Sequence, residues 1–445
     1  MAVLAAGALM PGVARADPGL PPIKHVFIIV LENKTYDATF GKLSPAQYLA
    51  WTLPGLGALI PSYYGVAHES NPNYVALVSG QGANPDSQAD CQVYSDFVPG
   101  VMGADGQALG TGCVFPASVP TIANQLSDKH LSWKGYMEDM GNATGQPQTC
   151  RHPALNTQDT TQSAHPGDQY AARHNPFVYF HSIIDTPACA QDDVPLDRLP
   201  EDLRGAATTP NYSFITPSLC NDGHDAPCVD GKPGGLVSSD LFLKTWVPRI
   251  LASPAYRQDG LLIVTFDEND SGSADASACC NEPQFPNTPN NGGPFPGRGG
   301  GQVGAVALSP YIDPGTIDTQ AYNHFSLLAS VEDLFGLSRL GYAGQPGLTT
   351  FGSDLFTCYR ALTPRARHGH LPPGSLIKQA QLGEDGTGRR SLLVKLWYPG
   401  RVKVRRLSRR LAACQVLSAP VPRGHGKLTV TARAFGGAER RTISY

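Results

Sequence analysis

The sequence predicts a three-layer α/β/α domain with a mostly parallel sheet, followed by a small basic β-rich domain. Three observations predict it. Apolar runs suited to strands recur to about residue 340, helix-period segments fall between them, and the charge balance breaks near residue 360. Strands covered by helices on both faces read as near-continuous apolar runs, and strand–helix alternation is the mark of a layered α/β domain.

The chain begins MAVLAAGALMPGVARADPG, small and apolar, and Ala14-Arg15-Ala16 forms a cleavage pattern before Asp17. Although it lacks a positive n-region, 1–16 reads as a secretory signal, so a secreted or envelope-associated protein is expected. One large domain is expected over 17–360. Its first strand is IKHVFIIVL (23–31), followed by LSWKGYM (131–137), PFVYFHSI (176–183), NYSFITPS (211–218), LLIVTFD (261–267) and GQVGAVALSP (301–310). Helices are predicted over TIANQLSDK (121–129), SSDLFLKTWVPRILAS (238–253) and HFSLLASVEDLFGL (324–337). Another starts in HESNPNYVALVSG (68–80), where Ser70 or Asn71 would cap and Pro72 would sit in the first turn.

After Cys358 the texture changes. RALTPRARHGHLPPG is linker-like, and SLLVKLWYP, GRVKVRRL, CQVL and KLTVTARAF are short β-like runs that make 372–445 a small β-domain. From Tyr359 onward there are 18 Lys and Arg against 3 Asp and Glu, about +15; the preceding 358 residues hold 16 basic and 34 acidic groups, about −18. The basic surface is a solvated strand face, or else it contacts anionic cell-wall polymer or lipid. No nucleic-acid partner is expected.

Ten cysteines without paired C-x-x-C spacings suit disulfides in an oxidising compartment. Cys220 and Cys228 bracket a short loop and form the best single pair. The adjacent Cys279 and Cys280 are expected to bond to two different partners. No phosphate-binding glycine motif follows a strand, and there is no G-x-S-x-G elbow, which disfavours a lipase-type hydrolase. Ser70 lacks the C/S-x-P-x-R context of a sulfatase.

Ligands of open parallel sheets bind beyond the carboxyl ends of the strands. There the first strand ends in Glu32-Asn33 and the 261–267 strand in Asp267-Glu268-Asn269. Crowded carboxylates repel unless a cation lies between them, and oxygen ligands favour a hard divalent ion such as Ca²⁺, Mg²⁺ or Mn²⁺, with Zn²⁺ also a candidate. Asp222, His224 and Asp225 lie in a loop that a Cys220–Cys228 bridge would pin, where a histidine beside acids can ligate a metal, hold a phosphate oxygen or protonate a leaving group. His68, two residues before Ser70, His181 and His324 are further substrate-side candidates. His152, His165, His174, His368, His370 and His425 read as loop or surface residues. A serine at a helix start beside a metal is placed to attack phosphorus, and Asn73 could offer its amide to a phosphate oxygen.

These motifs resemble the phosphoesterase family that includes bacterial phospholipases C and secreted acid phosphatases, with a core similar to that of alkaline phosphatase. The carriers are HVFIIVLENKTYDATFG, SNPNYVALVSG, NYSFITPSLCNDGHD and IVTFDEND, in family order over roughly 22–340. The resemblance implies an alkaline-phosphatase-like fold and a divalent metal held by Glu32, Asn33, Asp267 and Glu268. It also implies Ser70 as nucleophile, Asn73 near the transferred phosphoryl group, and His224 in a phosphate-facing or acid role. Lys34 departs from a small or variable slot of the opening motif. The chain is shorter than typical phospholipases C of the family and lacks an obvious pair of their C-terminal domains. A phosphatase acting on phosphate-ester small molecules is therefore the first expectation. Alternatives are a phospholipase C acting on phospholipid and a non-catalytic cell-surface-binding protein.

Overall fold

The structure, a computed structural model, describes residues 19–360, 376–384, 387–411 and 413–445. The expected secretory segment 1–16 and nearly all of the linker-like stretch lie outside the described residues.

The elements that position the site are, in order, β1 (His25–Leu31), β2 (Ala58–Ile60), α1 (Ser70–Ser79), α2 (Ile122–Asp128), β3 (Trp133–Met137), β4 (Asp193–Pro195) and β5 (Tyr212–Thr216). They continue with α3 (Gly235–Ala252), β6 (Gly260–Phe266), β7 (Ala305–Leu308), β8 (Thr316–Ile317) and α4 (His324–Phe335). The eight strands form one sheet in the order β8-β2-β7-β6-β1-β5-β3-β4. β1 lies parallel between β6 and β5, with Leu31 opposite Phe266 and Val26 opposite Tyr212. Every residue of β1, β5 and β6 is buried, as their apolar runs require. The GQVGAVALSP strand forms, but β7 runs antiparallel to both neighbours, so the sheet is mostly rather than wholly parallel.

PFVYFHSI is not a strand. Pro176–Tyr179 is a 3₁₀ turn and His181–Ile184 a short helix. Pro176 pre-sets the first helical φ, and the Asn175 side chain accepts from Phe177 N, so local capping overrides the apolar run. The segment is still core: Phe177, Val178, Tyr179 and Phe180 are fully buried. In α1 the cap is Glu69, without a side-chain cap bond, and Ser70 is the first helical residue. Gly80 ends the helix in the left-handed conformation.

Cys91–Cys113, Cys150–Cys189, Cys220–Cys228 and Cys358–Cys414 are disulfides. Cys279 and Cys280 bond to each other, contrary to expectation, because every other cysteine is already paired. Among the described residues no helix is long and apolar enough to cross a membrane.

The C-terminal residues form β9 (Ile377–Glu384), β10 (Arg390–Leu396), β11 (Gly400–Val404), β12 (Leu407–Leu411), β13 (Leu417–Pro420), β14 (Lys427–Ala434) and β15 (Gly437–Ser444). Two antiparallel sheets, β9-β10-β13 and β12-β11-β14-β15, enclose their own small core around Leu392, Val394, Val402 and Val430. Lys378 and Lys395 both pair with Asp313 of the larger unit at 2.8 Å.

One buried acid away from the site makes a stability prediction. Asp193 on β4 accepts from Asn175 Nδ2 at 2.8 Å, and burial pushes its pKa up to about 7. Unfolded, it titrates near 4. The fold therefore favours the protonated acid: its contribution is present below about pH 4 and is lost as pH rises through 7. Asp193→Asn keeps the acceptor without the charge. Its melting temperature relative to the native chain is expected to climb between about pH 4 and 8; a pH-independent difference would refute the assignment.

Candidate active site

Parallel pairing of β1 with β6 brings two acidic strand ends side by side. Asp267 N donates to Leu31 O at 2.9 Å, and Asn33 N donates to Asp267 Oδ1 at 3.1 Å. The chain leaving β5 arrives at the same edge, where Glu32 N donates to Asp222 O at 2.8 Å. Asn33 takes the left-handed conformation, φ 51°, which turns the chain sharply at the strand end. Glu32, Asp222, Asp267 and Glu268 are thus four buried carboxylates, each at most 2% exposed.

Ser70 enters from the start of α1. Its hydroxyl donates to Glu32 Oε2 at 2.8 Å, while Tyr74, one turn on, donates to Glu32 Oε1 at 2.5 Å. The hydroxyl therefore faces the carboxylates and caps nothing. The helix start is a poorer anion cradle than its position suggests, because Asn71 N is taken by Asp90 Oδ1 and Pro72 has no N–H.

His174 is a site residue that sequence reasoning missed. It is 1% exposed, stacks on Tyr74 with 5.2 Å between ring centroids, and lies between Glu32 (Nε2 to Oε1, 3.4 Å) and Asp222 (Nδ1 to Oδ2, 3.7 Å). Neither nitrogen is hydrogen-bonded, and burial holds its pKa well below the ordinary histidine value. Its neighbour Arg173 is also buried, with Nε 3.5 Å from Asp90 Oδ2, and brings positive charge towards Glu32 and Asp222. The signal in the sequence was weak: an Arg-His pair in a loop with no strand before it.

The other expected residues divide. His224 is exposed at the site's edge, with Nδ1 3.1 Å from Asp225 Oδ1, and that bond raises its pKa. Asp225 thus orients His224. His68 is buried, with Nδ1 against Glu268 Oε2 and Nε2 3.1 Å from Asp275 O. Asn73 is not free to meet a substrate. Its Oδ1 accepts from Val66 N and Ala67 N, and its Nδ2 donates to Ala67 O and Glu69 O, so it shapes the loop that delivers Ser70. His324 is fully buried, with Nε2 2.5 Å from Asp267 O and Nδ1 3.1 Å from Tyr63 OH; it holds the Asp267 backbone from behind. His181 is held by Asp96 and Asp185, both at 2.8 Å, and shares no contact with the Glu32 cluster.

The loop 269–302 packs against the segment that leads into α1. Gly300 N donates to Gly65 O and Gly65 N to Gly301 O, both at 3.0 Å. A Cβ on Gly300 would stand 2.2 Å from Ala67 O, so this approach requires glycine.

The carboxylates are out of balance with their surroundings. Burial raises Glu32 well above the usual range, and the charges of Asp267 and Asp222 add to it. Burial likewise raises Asp222 and Glu268, and pushes Asp267 up to about 6 despite the N–H bonds it accepts. Asn33 Oδ1, Asp222 Oδ2, Asp267 Oδ2 and both His174 nitrogens are buried without a hydrogen-bond partner. Unpartnered buried oxygen atoms beside crowded carboxylates fit a divalent cation at Glu32, Asn33 and Asp267; Asp222, Glu268 and His174 stand around that position without converging on it.

A serine hydroxyl facing buried carboxylates at the carboxyl edge of the sheet stands where open α/β sheets bind their ligands. The chain belongs to the phosphoesterase family, whose model matches residues 45–338. A phosphate-repressible acid phosphatase of Penicillium chrysogenum is 27% identical over 285 residues, 64% of this chain and 53% of that protein. A phosphatidylinositol-3-phosphatase of Mycobacterium tuberculosis is 25% identical over 346 residues, 78% of this chain and 88% of that protein. The chain spans 53–59% of the length of the fungal relatives it matches. Among solved structures, a protein in the alkaline phosphatase superfamily from Vibrio parahaemolyticus aligns over 90% of this chain and 83% of its own, at 11% identity and a TM-score of 0.43.

Proposed function

We propose that the chain is a secreted, metal-dependent phosphoesterase of the acid-phosphatase type that works through a phosphoserine at Ser70. The observation that carries this is the Ser70 hydroxyl, donating at 2.8 Å to a buried carboxylate at the meeting point of three strand ends. Five disulfides agree with an oxidising compartment.

In the first step Ser70 Oγ attacks phosphorus, and its proton passes to Glu32 Oε2. The bond from phosphorus to the ester oxygen breaks, and protonated His224 gives that oxygen its proton. In the second step water attacks the phosphoserine, His224 takes the water's proton, and Glu32 returns a proton to Ser70 as the P–Oγ bond breaks. Arg173 brings fixed positive charge to the site, and His324 and Asn73 hold the two backbone segments in place. A divalent cation held by Glu32, Asn33 and Asp267, with Glu268, Asp222 and His174 around them, would supply the charge that favours a serine alkoxide and screens the phosphate. Phosphoryl transfer asks little beyond such positioning and charge neutralisation.

The direct test is to quench turnover of p-nitrophenyl phosphate and map the phosphoryl group by mass spectrometry. It is expected on the peptide containing Ser70; a phosphoryl group on another residue, or none under burst conditions, would overturn the mechanism. A substrate panel separates the readings: monoesters release phosphate, whereas a phospholipase C would release phosphorylcholine from phosphatidylcholine. The Mycobacterium tuberculosis relative adds a phosphoinositide head group to the monoesters worth testing.

His224 makes a pH prediction. The Asp225 bond keeps its imidazolium form to higher pH than usual, and leaving-group protonation fades as pH rises through that raised pKa. His224→Gln is expected to flatten the alkaline limb of kcat. It should cost roughly 100-fold on glycerol 2-phosphate but far less on p-nitrophenyl phosphate, whose leaving group needs no proton. Equal losses on both substrates would remove His224 from the acid role.

A further inference from the structure

The register of the four-stranded C-terminal sheet decides what its outer face presents. Val402, Val404, Leu428, Val430 and Ala432 are buried in the small core, so Arg401, Lys403, Thr429, Thr431 and Arg433 point the other way. Arg410, Arg401 and Arg433 then stand side by side on three neighbouring strands. In the next row stand Ser408, Lys403, Thr431 and Arg440. Like charges directly opposite one another on a sheet are destabilising.

Nothing among the described residues relieves this. Among the described residues no carboxylate pairs with Arg401, Lys403, Arg405, Arg433 or Arg440. Glu439, on the last strand, faces inward, where it accepts from Leu376 N and Ile377 N and pairs with Arg441. The five cations line a groove of about 410 Å³, with the hydroxyls of Ser408, Thr429 and Thr431 between them. An anion laid along this groove removes a repulsion that the fold otherwise carries.

The chemistry of the face narrows the anion. Neighbours across strands are about 5 Å apart, and alternate residues along a strand about 6.6 Å. Such a lattice suits an extended chain with repeating charges rather than one phosphate. Guanidinium groups grip oxyanions in pairs, and the interleaved hydroxyls match the hydroxyls of a sugar. The groove has no aromatic ring on which a nucleic-acid base could stack and no large apolar side chain to enter a bilayer. The residues before Tyr359 carry a net charge of about −18, so a polyanion is repelled from the rest of the molecule.

We propose that this face binds a linear anionic polysaccharide through Arg401, Lys403, Arg405, Arg433 and Arg440. The test is titration of the full-length protein with dextran sulfate and with polygalacturonate. Uncharged dextran, phosphatidylglycerol vesicles and a single-stranded oligonucleotide are run beside them. Both anionic polysaccharides are expected to bind, more weakly as salt rises, and dextran not at all. The double variant Arg401→Gln, Arg433→Gln is expected to bind at least about ten-fold more weakly with a shallower salt dependence. Its melting temperature should not fall, because a repulsive row is thinned, and p-nitrophenyl phosphate turnover should be unchanged. Undiminished affinity in the variant, or tighter native binding to vesicles or oligonucleotide than to the polysaccharides, overturns the proposal. If that variant proves unstable, Lys403→Gln with Arg440→Gln gives the same reading on the same face, and undiminished affinity there is equally fatal.

Discussion

Ser70→Ala is expected to lower kcat on p-nitrophenyl phosphate by about 10⁴-fold or more, the scale on which loss of a covalent nucleophile acts. The phosphorylated peptide should disappear with it. The fold should survive: one hydroxyl is removed from the first turn of α1, where it caps nothing. Glu32 Oε2 loses its donor, and an unsatisfied buried acceptor costs about 1–3 kcal/mol. A loss of a few degrees in melting temperature is therefore expected beside a catalytic loss of several orders of magnitude. Ser70→Thr, which keeps the hydroxyl, should retain part of the rate. Activity in Ser70→Ala within a few-fold of native would show that the buried hydroxyl serves the loop and not the chemistry.

Chelation with EDTA is expected to abolish turnover and to destabilise the fold, and the second effect should depend on pH. Without a cation, burial raises Glu32, Asp222 and Glu268, and Asp267 stands near 6. The same groups titrate near 4 when unfolded. Acids raised in the folded state contribute stability below about pH 4 and lose it as pH rises through their folded values. A bound cation favours the charged forms and offsets that loss. The melting temperatures of loaded and stripped protein should thus converge near pH 4 and separate towards pH 8. Scanning calorimetry across that range checks the prediction, and refilling with Ca²⁺, Mg²⁺, Mn²⁺ or Zn²⁺ separately identifies the ion that restores the difference. Superimposable curves at every pH would argue against a cation among these carboxylates.

The parts of the molecule legible in the sequence are those set by local pattern and strand order. The uninterrupted apolar runs of β1, β5 and β6 gave their burial directly. Because strand ends in such a sheet share one edge, Glu32 and Asp267 could be placed together without coordinates. What stayed hidden depends on contacts between distant segments. His174 sits in a loop with ordinary loop neighbours; only packing on Tyr74, a hundred residues earlier, brings it against Glu32 and Asp222. Asn73 read as a substrate contact because its spacing from Ser70 was suggestive, yet four backbone groups of residues 66–69 use its whole amide. His324 was expected to face substrate and instead braces a main-chain carbonyl. The PFVYFHSI error has a different origin. Apolar runs of that length are ambiguous between strand and buried helix, and the Asn-Pro start was the signal that decided it.

The Cys358–Cys414 disulfide spans the linker-like residues from 361 to 375. A protease that cuts anywhere in that stretch makes two polypeptides but still one molecule, because each fragment keeps one of the two sulfurs. The sheet with the basic groove therefore stays with the larger unit after nicking and parts from it covalently only when the bridge is reduced. For this protein the number of chains and the number of particles are separate quantities, and it is reduction, rather than proteolysis alone, that frees one unit from the other.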